Sequence, residues 1–215
     1  MDMTNARPRL MAGNRPLWLG LLLTLALVGL TTAISPLERT LGVNARLVYF
    51  HGAWVWAGKI AFAAASAAGL AGLIWGRQAW QRYSLALGSA GLVFWLTYLP
   101  LSLYIQQVNW GGIFWDEPRW RIPLMFGVVG VLLQVGLWLV GNLRLASLAN
   151  LLFGVALWWS LATIQNVLHP DSPIAQSGAL DIQMFFGAIL FLALVFGALM
   201  TRLLYGYTAP HSAVQ

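Results

Sequence analysis

Long apolar runs separated by short polar stretches dominate this 215-residue chain. Six of them reach the roughly 20 residues that an α-helix needs to cross the hydrocarbon of a bilayer. They lie at about 17–35, 47–75, 83–104, 123–141, 145–165 and 182–201. The pattern predicts an all-α membrane protein, a six-transmembrane-helix bundle forming one integral domain over 1–215. The links after the second and fourth runs are short, which predicts antiparallel hairpins there. No repeat of fixed period or low-complexity tract interrupts the runs, and 209–215 reads as a short tail. Basic residues before the first run and small residues near its end mimic a cleaved signal peptide. The run is longer than the roughly 7–15 residues of a signal core, so a retained anchor is expected.

Composition strengthens the membrane assignment. The chain is 60% hydrophobic and 8% charged, against roughly 25% charged in soluble domains. Its mean hydropathy is +0.73. The net charge of +6 does not imply nucleic acid, because the basic residues cluster at span ends, where topology and anionic lipid account for them. With both termini in the cytoplasm, the inner face receives Arg7, Arg9, Arg15, Arg77, Arg82, Arg144 and Arg202. The outer face then receives Arg39, Arg46, Arg119 and Arg121, a smaller set, as the positive-inside rule requires. Cysteine is absent, which excludes disulfide exchange and thiolate ligands.

The candidate chemistry concentrates between the third and fourth runs. Trp110-Gly111-Gly112-Ile113-Phe114-Trp115-Asp116-Glu117-Pro118-Arg119 gathers three large rings, two acids and an Arg within an expected outer loop from Gln106 to Arg121. Counting about 20 residues from Trp75 reaches Val55 and puts His51 just past the outer hydrocarbon edge. The same count from Leu145 reaches Ile164 and puts His169 just past that edge too. Two imidazoles and an aromatic loop thus share one face and one depth. Singly, each has a plainer explanation: Trp is common in interfacial belts, and an interfacial His commonly caps a helix or meets headgroups. His211 lies in the tail, where it is expected to be inert.

Two imidazoles are too few for a structural zinc site, though Asp116 and Glu117 would complete a zinc or copper set. Bis-imidazole ligation of haem iron suits the remaining features better. Flat rings match a porphyrin, and Arg46, Arg119 and Arg121 match its propionates. The two acids are otherwise read as partner contacts or as solvated loop residues. Lys59 is the one ionisable residue within a run, about 12 Å deeper than His51. Pairing with a propionate and snorkelling to the interface both stand as explanations.

Taken together, these residues resemble the CcmC-type haem-handling membrane proteins of cytochrome c biogenesis, in the group named for a "WWD" loop. That loop follows the pattern W-G-x-W-W-x-W-D-x-R between two haem-ligating histidines. Here Arg46-Leu47-Val48-Tyr49-Phe50-His51 and Asn166-Val167-Leu168-His169 match the flanking patterns, over roughly Arg46 to His169. The loop keeps Trp110-Gly111 and Trp115-Asp116. It replaces the central double Trp by Ile113-Phe114, lacks one residue before Trp115 and adds one before Arg119. The resemblance implies haem b as bound cargo, with His51 and His169 as axial iron ligands and Trp110, Phe114, Trp115, Asp116, Arg46 and Arg119 around it. It also implies transfer to a CcmE-like haem chaperone with help from an ABC-type release complex, at a bacterial or archaeal cytoplasmic (inner) membrane, without enzymatic turnover. The competing expectations are a membrane haem-b electron-transfer protein, a transporter, and an assembly subunit whose aromatic loop only docks a partner.

Overall fold

The computed structural model describes residues 14–165, 167 and 173–208. Among them, six helices are long and apolar enough to cross a membrane, and the only β pairing is an isolated bridge between Glu38 and Gly42. In order they are α1 (Arg15–Ile34), α2 (Ala45–Trp75), α3 (Gln78–Trp110), α4 (Pro118–Val140), α5 (Leu143–Ala162) and α6 (Leu180–Tyr207). The regular structure of the described residues is therefore helical, with six candidate membrane-spanning helices that suggest a multi-pass membrane protein, as the run lengths predict. His169, His211, Arg7, Arg9 and the tail at 209–215 lie outside the described residues.

Several helices, α3 above all, outrun the hydrophobic runs that predict them, whereas α5 stops at Ala162, short of the predicted 165. At 33 residues α3 is about 50 Å long, against a hydrocarbon thickness of roughly 30 Å. Its ends carry Gln78, Gln81 and Arg82 on one side and Gln106, Gln107 and Asn109 on the other. Polar side chains do not stop a helix, because backbone hydrogen bonding continues to reward it beyond the lipid. The expected outer loop from Gln106 to Arg121 accordingly shrinks to residues 111–117.

α2 and α3 form the central pair, joined by Gly76-Arg77, with Gly76 at φ 64° turning the chain back sharply. α5 packs on α2, α6 on both central helices, and α4 across α3 and α5, while α1 attaches mainly to α6. Apolar side chains gain little by leaving lipid, so close packing and hydrogen bonds must hold such a bundle. Small residues provide the first. A methyl group added at Gly69 would stand 2.5 Å from the Ser147 carbonyl oxygen, and one at Gly154 would collide with Ser66 Oγ. At Gly88 it would meet Asn150 Oδ1 and Gln134 Nε2, each at 2.7 Å.

Hydrogen bonds provide the second through a buried polar chain that stitches four helices. Asn150 on α5 donates Nδ2 to the Ser84 carbonyl of α3 at 3.0 Å and accepts Gln134 Nε2 of α4 at 2.6 Å. Ser66 on α2 donates to the Asn150 carbonyl at 3.0 Å, and Ser84 donates to the Ala65 carbonyl at 2.9 Å. Ser89 donates to Gln134 Oε1 at 3.3 Å and accepts Trp138 Nε1 at 3.0 Å. Next to this chain, an aromatic core of Trp54, Phe62, Phe94, Trp95, Phe153 and Phe196 fills the space between the central pair and its flanking helices. Leu22, Leu132, Leu139 and Phe191 face outward, as lipid contact requires.

Candidate functional site

Because α2 and α3 run antiparallel, the start of α2 and the end of α3 fall at the same end of the bundle, with the start of α4 beside them. His51 is in the second turn of α2, half-buried, its ring edge-on to Tyr98 of α3 at 5.6 Å. Tyr98 in turn meets Trp95 edge-on at 4.9 Å, and Trp95 Nε1 donates to the Pro123 carbonyl of α4 at 2.9 Å. His51 is thus set by a stack that is itself pinned to two helices.

The loop after α3 is folded rather than loose. Gly111 takes φ 72°, a left-handed conformation suited to glycine, and its N–H closes α3 on the Gln107 carbonyl at 3.1 Å. The buried side chain of Gln106 reaches back to accept the Phe114 N–H at 3.0 Å. Phe114 then accepts the Glu117 N–H through its carbonyl at 3.2 Å. Trp110 meets Phe114 at 6.3 Å between ring centroids, and Trp115 meets the buried Trp120 at the same separation. Trp110, Phe114 and Trp115 nevertheless keep 43%, 40% and 60% of their surface exposed, so the loop offers open ring area.

The two loop acids part company. Asp116 is exposed and meets Arg121 at 3.6 Å across the open surface. Glu117, expected as a partner contact or a solvated acid, is buried and caps α4, accepting the Arg119 N–H at 3.4 Å. The cause is the neighbouring Pro118. A proline in the first turn starts a helix without needing a partner for its missing N–H, and the preceding residue becomes the cap. That Glu-Pro pair was the sequence signal for this role.

Arg46 Nε donates to the Ser35 carbonyl at 2.9 Å, tying α2 to the end of α1. Arg119 stands in the first turn of α4, close enough to interact electrostatically with both Glu117 and Lys59. The Lys59 ammonium is 3.8 Å from the Trp56 ring centre and 4.7 Å from that of Trp158, held between two aromatic faces. Trp158 Nε1 also donates to the Lys59 carbonyl at 3.3 Å. Lys59 therefore neither hangs free in lipid nor needs a carboxylate to be accommodated.

Two residues carry unmet hydrogen bonding at this end: Tyr49, part of the segment that matches the flanking pattern before His51, and Asn109, which the sequence did not single out. The Tyr49 hydroxyl is buried without a hydrogen-bond partner among the described residues, and so are both polar atoms of the Asn109 amide. Buried polar atoms are paired in the great majority of native positions, so orphans mark places for an added ligand or water. Among the described residues, no three His, Cys, Asp or Glu side chains gather as a metal site. Of the two imidazoles that would hold a haem through its iron, the described residues supply that of His51; the other candidate, His169, lies outside them. Open rings, cations and orphaned polar atoms suit the rest of a flat, carboxylate-bearing group. Neither a protein-family model nor a curated protein matches the chain.

Proposed function

We propose that this protein handles haem b at the outer face of a bacterial or archaeal cytoplasmic membrane and passes it to a haem chaperone, in the manner of the CcmC-like proteins it resembles. The supporting observation is the position of His51 at the same bundle end as an open aromatic loop, Trp110 to Trp115. In this reading both termini are cytoplasmic and the loop faces outward. The imidazoles of His51 and His169 would hold the haem through its iron. Trp110, Phe114 and Trp115 offer ring faces to the macrocycle, while Arg46, Arg119 and Lys59 attract the propionates. Asp116, exposed at the tip, contacts a CcmE-like chaperone, and an ABC-type complex assists release. The haem supplies whatever redox chemistry occurs, and the chain's own residues bind, orient and release it.

An absorption spectrum of protein purified from a haem-replete host tests the proposal. A Soret band is expected, lost when His51→Ala and His169→Ala are combined. A missing band, or one indifferent to that double substitution, overturns it. The exposure of Trp115 and Asp116 favours a second reading, an assembly subunit whose loop only docks another protein. That reading expects no haem at all.

A further inference from the structure

Away from the loop, on the face shared by α2, α3 and α6, lies an open cavity of about 390 Å³. That is within the range of small-ligand sites, about 300–1,000 Å³. Its walls are apolar, with small residues (Ala57, Ala61 and Gly197 among them) set between larger ones such as Leu87 and Leu194. Polarity appears at one end only, where Tyr83, Thr201 and Arg202 line it. Along α3 the lining runs from Tyr83 to Phe94, about 16 Å at helical rise. Half of a hydrocarbon core of roughly 30 Å is one leaflet deep, so the groove matches a single acyl chain lying along the helices.

The polar end supplies the matching charge. Arg82, next to Tyr83, is committed: Nη2 donates to the Tyr205 carbonyl at 3.0 Å, Nε to Thr208 Oγ1 at 3.1 Å, and Cζ lies 4.1 Å from the centre of the Tyr205 ring. Arg202 is exposed and forms no ion pair with any described carboxylate. A cation at the lipid interface, with an apolar chain-length groove below it, complements an anionic amphiphile.

We propose that this groove is a binding site for an anionic phospholipid, one acyl chain lying between α2 and α6 and the headgroup phosphate on Arg202. The site is independent of haem handling and lies in the leaflet at the opposite end of the bundle from His51.

Native mass spectrometry of the full chain, released from detergent with added phosphatidylglycerol or phosphatidylcholine, tests it. The wild type should retain phosphatidylglycerol roughly fivefold more than phosphatidylcholine, the factor expected of one interfacial Arg. Arg202→Gln should abolish the preference while leaving some chain binding. Ala198→Phe, a change at an exposed wall residue, should lose both lipids, with circular dichroism confirming the fold. Arg144→Gln, at an exposed Arg outside the groove, should leave the preference intact. Equal retention of the two lipids by the wild type overturns the proposal. So does a preference that survives Arg202→Gln, or one that Arg144→Gln removes equally.

Discussion

The Asn150–Gln134 contact offers the sharpest test of how this bundle is held together. Both side chains are buried, and Gln134 Nε2 donates to Asn150 Oδ1 at 2.6 Å. Asn150→Ala removes that bond and the donation from Asn150 Nδ2 to the Ser84 carbonyl, leaving the Gln134 amide short of an acceptor in a dry interior. Interhelical hydrogen bonds in membranes average about 0.6 kcal/mol and reach about 1.7, so the two losses predict a destabilisation of about 1–3 kcal/mol. Gln134→Ala removes the same shared bond and its contact with Ser89. The double substitution should therefore cost less than the two singles summed, by about 0.6–1.7 kcal/mol. Removing both partners is cheaper than orphaning one. Equilibrium unfolding in mixed dodecyl sulfate and maltoside micelles, followed by tryptophan fluorescence, measures all four corners of the cycle. A coupling within about 0.3 kcal/mol of zero is the behaviour of unlinked sites and refutes the reasoning.

Three other outcomes are expected. Glu117→Ala should destabilise the start of α4 by about 1 kcal/mol, and Glu117→Asn should recover most of that; equal loss in both would show that capping is not its role. Lys59→Met should lower stability by about 1–2 kcal/mol through the lost ring contacts and should lower haem content, while Lys59→Arg keeps both; unchanged haem content removes Lys59 from the haem site. The Leu41 N–H, with that of Thr40, holds the Glu38 carboxylate below its usual pKa. A depressed folded pKa gives stabilisation that is complete above the unfolded value and is lost as pH falls through the folded one. Amide exchange at Thr40 and Leu41, corrected for intrinsic rates, should therefore stay slow above the ordinary glutamate value of 4.5 and quicken as pH falls below it. Protection that is flat down to about pH 2 would contradict the bonding.

What was legible in the sequence depended on what sets each feature. Helix number and order follow from apolar run length, a property of the chain alone, and all six helices appear in the expected places. Helix ends do not, since α3 keeps its geometry through Gln106 and Asn109 until Gly111 ends it. The meeting of His51's helix end with the aromatic loop was readable, because an antiparallel hairpin forces it. The ring contact with Tyr98 was not, because helix rotation is set by packing between helices. The same holds for Asn150 and Gln134, whose polarity was visible but whose partnership depends on how α4 and α5 face each other. Glu117 was misread although Pro118 beside it marked a helix start.

The attachment of α1 to α6 has a consequence for how the molecule is made. Of the six described helices, the one made first takes as its main neighbour the one made last, with residues 35–179 between them. At a synthesis rate of about 5–20 residues per second, α1 waits roughly 7–30 s for its partner. During that interval it is held only by its smaller contact with α2 and the Arg46–Ser35 hydrogen bond. Any factor that captures or degrades orphan helices has its opportunity then, and a ribosome that stops before α6 leaves the N-terminal helix without its principal anchor.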